Sequence, residues 1–212
     1  MKIRTVVPAL ALTSALVLAG CSDEASMDGM DMGSGSNPAT SSPSSASSAA
    51  QDGDYNDADV MFLQGMYPHH AQANEMAGLA QGRTENQGVL DLATQIEAAQ
   101  GPEMEQMASL LESFGQPAPS PDMGAMGGMD HGSGSMAGMM TEQDMAALEA
   151  ASDREFDQMW LSMMIEHHTG AVEMARTELE DGADPRAQQL ATEIIEAQET
   201  EITTMEDLIN QP

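Results

Sequence analysis

The sequence predicts an all-α protein, an antiparallel four-helix bundle made of two duplicated helical hairpins. Three observations predict it. First, Met66-Tyr67-Pro68-His69-His70-Ala71-Gln72-Ala73-Asn74-Glu75-Met76-Ala77 returns as Met164-Ile165-Glu166-His167-His168-Thr169-Gly170-Ala171-Val172-Glu173-Met174-Ala175, and the 98-residue offset holds without a gap from Asp59/Asp157 to Leu110/Leu208. A fixed offset over that length marks a repeated structural unit. Second, each copy carries apolar residues at helical spacing in two successive stretches. Third, no stretch alternates convincingly like a strand.

The first helix is expected to start near Asp57 and run to about Gln81, with Met61, Met66, His69, Ala73, Met76 and Ala80 on its inner face and Leu63 fitting more weakly. Pro68 lies inside it and predicts a kink, because proline has no N–H to donate. Gly82 ends this helix and Thr84 is the expected cap of the next. That helix should carry Val89, Leu92, Ile96, Met104, Met107, Leu110 and Leu111 inward, with an interruption and a bend at Gly101-Pro102. Thr141 starts a short helix to about Ala150, and Ser152-Asp153-Arg154-Glu155 reads as a capping box opening the next long one. Phe156, Trp160, Met163, Met164, His167, Ala171, Met174 and Ala175 form its inner face. Asp184-Pro185, a cap followed by proline at the first helical position, opens the last helix, which runs to about residue 209. Its expected inner face is Leu190, Ile194, Ala197, Met205, Leu208 and Ile209, with Ile202 weaker.

The remaining segments differ in composition. Residues 1–20 combine Lys2 and Arg4, a short apolar run and Leu18-Ala19-Gly20 before Cys21, the pattern of a cleaved secretory leader. The ending resembles the bacterial lipobox, in which the cysteine is lipidated. Cys21 is the only cysteine, so no internal disulfide is possible. Residues 21–53, poor in large apolar side chains other than methionine, read as a disordered tether. Met27, Met30 and Met32 within it are either compositional drift or loose metal capture. Residues 54–114 and 141–212 are the two hairpins of one bundle domain. They are joined by a Met/Gly-rich linker, 115–140, holding Met123, Met126, Met129, His131, Met136, Met139 and Met140. Ordinary linkers are Gly/Ser- or Pro-rich, so this methionine density is unusual.

Without residues 1–20 the chain holds four arginines, no lysine and 35 acidic residues, a formal charge of −31. Such a surface excludes nucleic acid as a partner, since phosphate binding needs clustered Lys and Arg. It also repels anionic lipid, so any membrane link runs through acyl chains alone. The apolar run of the leader is too short for a spanning helix. The acidity keeps the surface solvated and concentrates cations near it.

Four of the five histidines lie in the two repeated motifs. At ~100° per residue with His69 at zero, Met76 falls at about −20°, Ala73 at about 40°, Met66 at about 60° and His70 at about 100°. His167, Met174, Ala171, Met164 and His168 repeat the stripe. Thioether sulfur is a soft, neutral ligand suited to Cu(I), and imidazole also suits copper. Zinc would want thiolate, more histidine or carboxylate. A di-iron bundle shares this architecture but needs Glu-x-x-His pairs, and here Glu166 is adjacent to His167, the wrong register. Methionines at helical spacing are most often core filler, and Met61, Met107, Met159 and Met205 are expected to pack as core. The histidine pairs are harder to read so, because one member of each must desolvate a polar ring beside the core.

At these residues the chain resembles the family known as domain of unknown function 305, a ferritin-like four-helix group. Its hallmark, Met-Ile-x-His-His-x-x-Ala-x-x-Met-Ala, is met by Met66/His69/His70/Ala73/Met76 and by Met164/Ile165/His167/His168/Ala171/Met174. A second hallmark, Gln-x-x-Glu-Ile-x-x-Met, is met in full by Gln198/Glu201/Ile202/Met205. It is met in part by Gln100/Glu103/Met104/Met107, with Met104 in place of isoleucine. The resemblance covers residues 55–211, and the Met-rich linker is the unusual addition. It implies an extracytoplasmic protein linked to copper binding and tolerance.

The expectation from the sequence is a copper-binding lipoprotein, not an enzyme, lipid-anchored on the outer face of the cytoplasmic membrane. It would sequester or deliver copper, chiefly Cu(I). The candidate ligands are Met66, His69, His70, Met76, Met104, Met107, Met164, His167, His168, Met174 and Met205, with His131 in a flexible capture arm. Delivery would involve a copper-handling partner protein or a second copy of the chain. The alternative is a metal-free structural or partner-binding bundle whose methionines are an adaptable core. Catalysis comes third: the chain has no nucleophile paired with a base, no phosphate loop and no redox cysteine pair, so any reaction would have to be carried by a metal.

Overall fold

The computed structural model describes residues 55–121 and 136–210. Cys21, the tether, Met27, Met30, Met32, Met123, Met126, Met129 and His131 lie outside them. Five helices follow one another: α1 (Asp57–Leu79), α2 (Gln87–Ser113), the short α3 (Glu142–Ala150), α4 (Asp153–Asp181) and α5 (Pro185–Ile209). Hairpin α1–α2 packs on hairpin α4–α5, with α1 against α4 and α2 against α5. The four long helices are the expected bundle, and among the described residues there is no strand.

The hairpins are sewn together at their ends by contacts that repeat the duplication. Asn56 Nδ2 donates to the carbonyl of Asp181, and the Asp153 amide donates to the carbonyl of Arg83, whose position is that of Asp181 in the other copy. Asp59 at the start of α1 receives the Ala183 and Asp184 amides of the α4–α5 turn at 3.1 and 2.8 Å. Its counterpart Asp157 receives Asn86 Nδ2 of the α1–α2 turn at 3.2 Å. These pairings set α1 and α4 antiparallel, each N-terminus at the other's C-terminal end.

The caps account for most boundaries. Asn56 and Asp59 form a capping box for α1, Thr141 and Asp144 one for α3, and Asp184 accepts the Arg186 and Ala187 amides ahead of Pro185. Two expectations fail here. α2 is capped by Asn86; Thr84 instead accepts the Asn86 amide, shaping the turn before it. Ser152 makes no side-chain cap: its hydroxyl donates to Asp153 Oδ2 at 3.4 Å, while the Asp153 amide donates to the Arg83 carbonyl and Asp153 takes φ 52° at the entry to α4. Nor is α2 interrupted at Gly101-Pro102: it runs unbroken through Pro102, as α1 does through Pro68. The carbonyl left without a donor in α2 belongs to Ala98, on the exposed side where solvent serves it.

Two apolar clusters fill the bundle. One gathers Met76, Ile96, Leu148, Phe156, Trp160, Met164 and Met205; the other gathers Leu63, Met66, Met107, Leu111, Leu190 and Ile194. Leu63 is fully buried, more firmly in the core than its spacing implied. Met61 is 48% exposed and is not core: at about −80° from His69 it lies outside the inner stripe. Ile209, on the last turn of α5, is exposed as well. Met107 and Met205 pack as core as expected, and Met159 is half-buried.

The linker is not uniform. Its end, Met136–Met140, lies as a strap across α1 and α4. Gln72 clamps it, with Nε2 donating to the Met140 carbonyl at 2.9 Å and Oε1 accepting the Met140 amide at 2.8 Å. Gly138, at φ 78°, lies so close to the α4 backbone that a β-carbon would stand 2.6 Å from the Glu166 carbonyl oxygen. At Gly170 a β-carbon would collide with the Ala137 carbonyl.

Candidate metal centre

All four motif histidines are fully buried between the two hairpins, so both members of each pair, and not one, leave water. The centroids of the His69 and His167 rings are 3.8 Å apart and tilted by 44°; those of His167 and His168 are 6.2 Å apart. His70 and His168 each donate Nε2–H to a carboxylate at 2.7 Å, Glu103 of α2 and Glu201 of α5. His69 donates Nε2–H to the strap's Ala137 carbonyl at 3.1 Å.

These partners assign the tautomers. With Nε2 carrying the proton, the Nδ1 lone pairs of His69, His70 and His168 are left inside the protein, where no donor meets them; neither nitrogen of His167 has a partner. A buried imidazole whose other N–H is held by a carboxylate or a backbone carbonyl is the usual support for a metal-ligating histidine. Burial pushes His69 down to about 3, reinforced by its histidine neighbours. Burial, with the neighbouring imidazoles, lowers His167 well below the usual histidine value. Both rings are therefore neutral at physiological pH, the protonation state that binds metal.

The buried methionines sort into two sets related by the repeat. Met66, Met107 and Met174 belong to one apolar cluster, and their counterparts Met164, Met205 and Met76 to the other. Each set draws from three helices, and the histidines lie on α1 and α4 between the methionines of those helices. The two sets differ in exposure: Met66, Met76, Met107, Met164 and Met205 are fully buried, whereas Met174 is half-buried. Met104 stands apart. It is half-buried on α2, and its sulfur accepts Asn74 Nδ2 at 3.6 Å. At about 80° from Ile96 it sits at the edge of the inner stripe, so it joins neither set.

Four polar residues of the second hallmark are absent from the expected ligand set. Glu103 and Glu201 hold the histidines, and Gln100 and Gln198 are buried with neither amide atom partnered. The signal was present: with Ile96 at zero, Gln100 falls at about 40° and Glu103 at about −20°, in the middle of an apolar stripe, and Gln198 and Glu201 stand so to Ile194. Among the described residues no three of His, Cys, Asp or Glu converge as a metal cage. The methionines that flank the histidine pairs on α1 and α4 are Met66 and Met76, and Met164 and Met174.

The bundle and its paired motif define a protein class. Residues 59–209 match the family described as domain of unknown function (DUF305), and the chain belongs to that family. It is 33% identical to a DUF305 fragment from Deinococcus radiodurans, with a TM-score of 0.63 over 73% of this chain and 96% of that one. A DUF305 protein of Streptomyces coelicolor described as secreted is 32% identical, TM-score 0.62, over 71% and 91%. CopM in its Cu(II)-bound form is 32% identical, TM-score 0.60, over 71% and 95%; its Cu(I)-bound form aligns at 29% and 0.57, over 71% and 94%. No curated protein matches the chain.

Proposed function

We propose that this protein binds copper, chiefly as Cu(I), for sequestration or delivery outside the cytoplasm. The observation that carries the reading is the buried group of four histidines lying between two repeat-related sets of thioethers. Neutral imidazole and thioether are the donor pair that suits Cu(I). The copper-bound forms of CopM support the choice of metal. The chain's own imidazoles hold the ion, Glu103, Glu201 and the Ala137 carbonyl orient them, and the apolar clusters keep water away. Bound copper would be held as cargo by these donors, and the role read from the site is metal handling.

Titration against a Cu(I)-selective chelator under reducing conditions tests this. The His69→Ala/His70→Ala/His167→Ala/His168→Ala variant, with circular dichroism showing its helices intact, loses the tight site. Equal stoichiometry and affinity in both proteins overturn the proposal. The complete burial of five methionines favours a second reading, a metal-free bundle with an adaptable core. That reading predicts a thermal midpoint indifferent to Cu(I), whereas a site-bound ion raises it by mass action.

The location follows from the leader. Cys21 after Leu18-Ala19-Gly20 is lipidated and anchors the bundle through residues 21–53 to the outer face of the cytoplasmic membrane. Among the described residues no helix is long and apolar enough to span a membrane. Mass spectrometry of the protein from its membrane fraction finds acylated Cys21; a free thiol there contradicts the anchor.

A further inference from the structure

In a chain whose halves repeat, two departures gather at the strap. Gly65 stands where the second copy has Met163, and Gly170 where the first has Gln72. Gly170 lets the strap lie against α4, and Gln72 clamps its far end to α1. Gly65 leaves a cleft, and the strap puts a methionine over it. The ε-methyl groups of Met174 and Met136 stand 3.2 and 3.6 Å from the point a Gly65 β-carbon would occupy. Gly65 precedes His69 by one helical turn, and Met174 follows Gly170 by one. Met174 lies two turns beyond His167 on the same face of α4, so the Met136–Met174 meeting point lies on the histidine stripe, nearest His69.

The two thioether sets consequently differ in access. Met76 is fully buried, and its carbonyl accepts the Trp160 indole N–H at 2.8 Å. Its counterpart Met174 is half-buried and covered by Met136, itself half-buried. Beyond Met136 opens a groove of about 870 Å³ between α1 and α3, lined by Met139, Met140 and Met145 and by the carboxylates of Glu75 and Glu149. Acidic walls raise the local concentration of cations.

We propose that Met136 and Met174 form an outer, thioether-only site for a soft monovalent cation, through which the buried histidines are loaded. Two neutral sulfurs hold such an ion weakly, so it exchanges readily toward His69, one turn from Gly65 along α1. The outer site stands on Met136, Met174 and Gly65 alone; only the ion's destination rests on the copper reading above.

The test uses Ag(I), diamagnetic and soft, with the chain carrying Cys21→Ser to remove a competing thiolate and 13C label in the methionine methyls. The Met136 and Met174 methyl resonances shift together on titration. In Met136→Leu the Met174 response weakens by on the order of tenfold or more, a ligand lost costing at least what a supporting contact does. Gly170→Ala, which dislodges the strap while keeping every sulfur, weakens it likewise. His69→Ala/His167→Ala leaves both shifts in place, so a failure of the histidine site is distinguishable from a failure of this one. A Met174 response unchanged in Met136→Leu, or a Met136 methyl that does not respond, overturns the proposal.

Discussion

At the scale of single residues, the decisive feature is that the Nδ1 lone pairs of His69, His70 and His168 are left open because a carbonyl or a carboxylate takes the Nε2 proton. Glu103 and Glu201 bind Nε2–H of His70 and His168, which commits Nδ1 to the interior. Glu103→Gln/Glu201→Gln keeps the volume and an acceptor but removes the charge that strengthens the imidazole as a donor. Cu(I) affinity should fall roughly 10–100-fold, the usual cost of losing such a partner, with helix content unchanged by circular dichroism. Unchanged affinity would mean that the carboxylates serve packing alone. The histidine pairs were legible from their spacing; their supports were not, because the carboxylates were read as a family hallmark and not for their place on the inner stripe. Met104 is expected inward from its helical spacing, and its angle of about 80° from Ile96 puts it at the stripe's edge. Met61 lies outside the inner stripe altogether, and it faces solvent.

At the scale of elements, the repeat predicts equivalence and the structure departs from it in measurable ways. Asp59 accepts the Asn56 amide at 2.6 Å and the two amides of the α4–α5 turn, and it is fully buried. Asp59→Ala leaves those donors unpaired, at about 1–3 kcal/mol for each that water cannot reach. Asp157 makes one exposed bond, so Asp157→Ala changes stability by no more than about 0.5 kcal/mol. Urea unfolding of the two variants checks the contrast, and equal losses would contradict it. Beside Asp59, burial pushes Glu178 up to about 8, with Asp59 and Asp184 adding to the effect. Its folded value exceeds the unfolded one of 4.5, so the folded state holds the extra proton between them. The stabilisation is complete below pH 4.5 and is lost as pH rises through 8. His69 acts in the opposite sense: at about 3 against 6.5, its contribution is present above pH 6.5 and is lost as pH falls toward 3. Glu178→Gln should flatten the alkaline decline of the thermal midpoint between pH 5 and 9 and leave the acid limb alone. An unchanged alkaline limb would contradict this. Helix ends at Asp57, Thr141 and Asp184 were legible because their caps are local. Ser152 misled because a long-range bond, from the Asp153 amide to Arg83, fixes the chain there. The strap was unreadable as structure, since its docking depends on Gly170 and Gln72, remote in sequence and brought beside it only by the fold.

At the scale of the whole molecule, duplication explains why the centre has paired parts. Two hairpins that bury the same stripe against each other bring two His-His motifs face to face and set one thioether group on either side. The strap then sets the two sides apart: Met174 is half-buried beneath Met136, whereas its counterpart Met76 is fully buried. The sequence revealed the repeat, the bundle and the donor types, because these depend on periodicity and residue chemistry. Whether the two motifs converge depends on how the hairpins pack, and the His69–His167 ring separation of 3.8 Å answers it. The central claim is that one buried centre uses imidazole and thioether donors together. X-ray absorption of the Cu(I)-loaded protein with Cys21→Ser tests it most directly. The account predicts a Cu(I) edge with both nitrogen and sulfur in the first coordination shell, the nitrogen component disappearing in the four-histidine variant. A shell of nitrogen and oxygen without sulfur, or one unaltered by loss of the histidines, would contradict it.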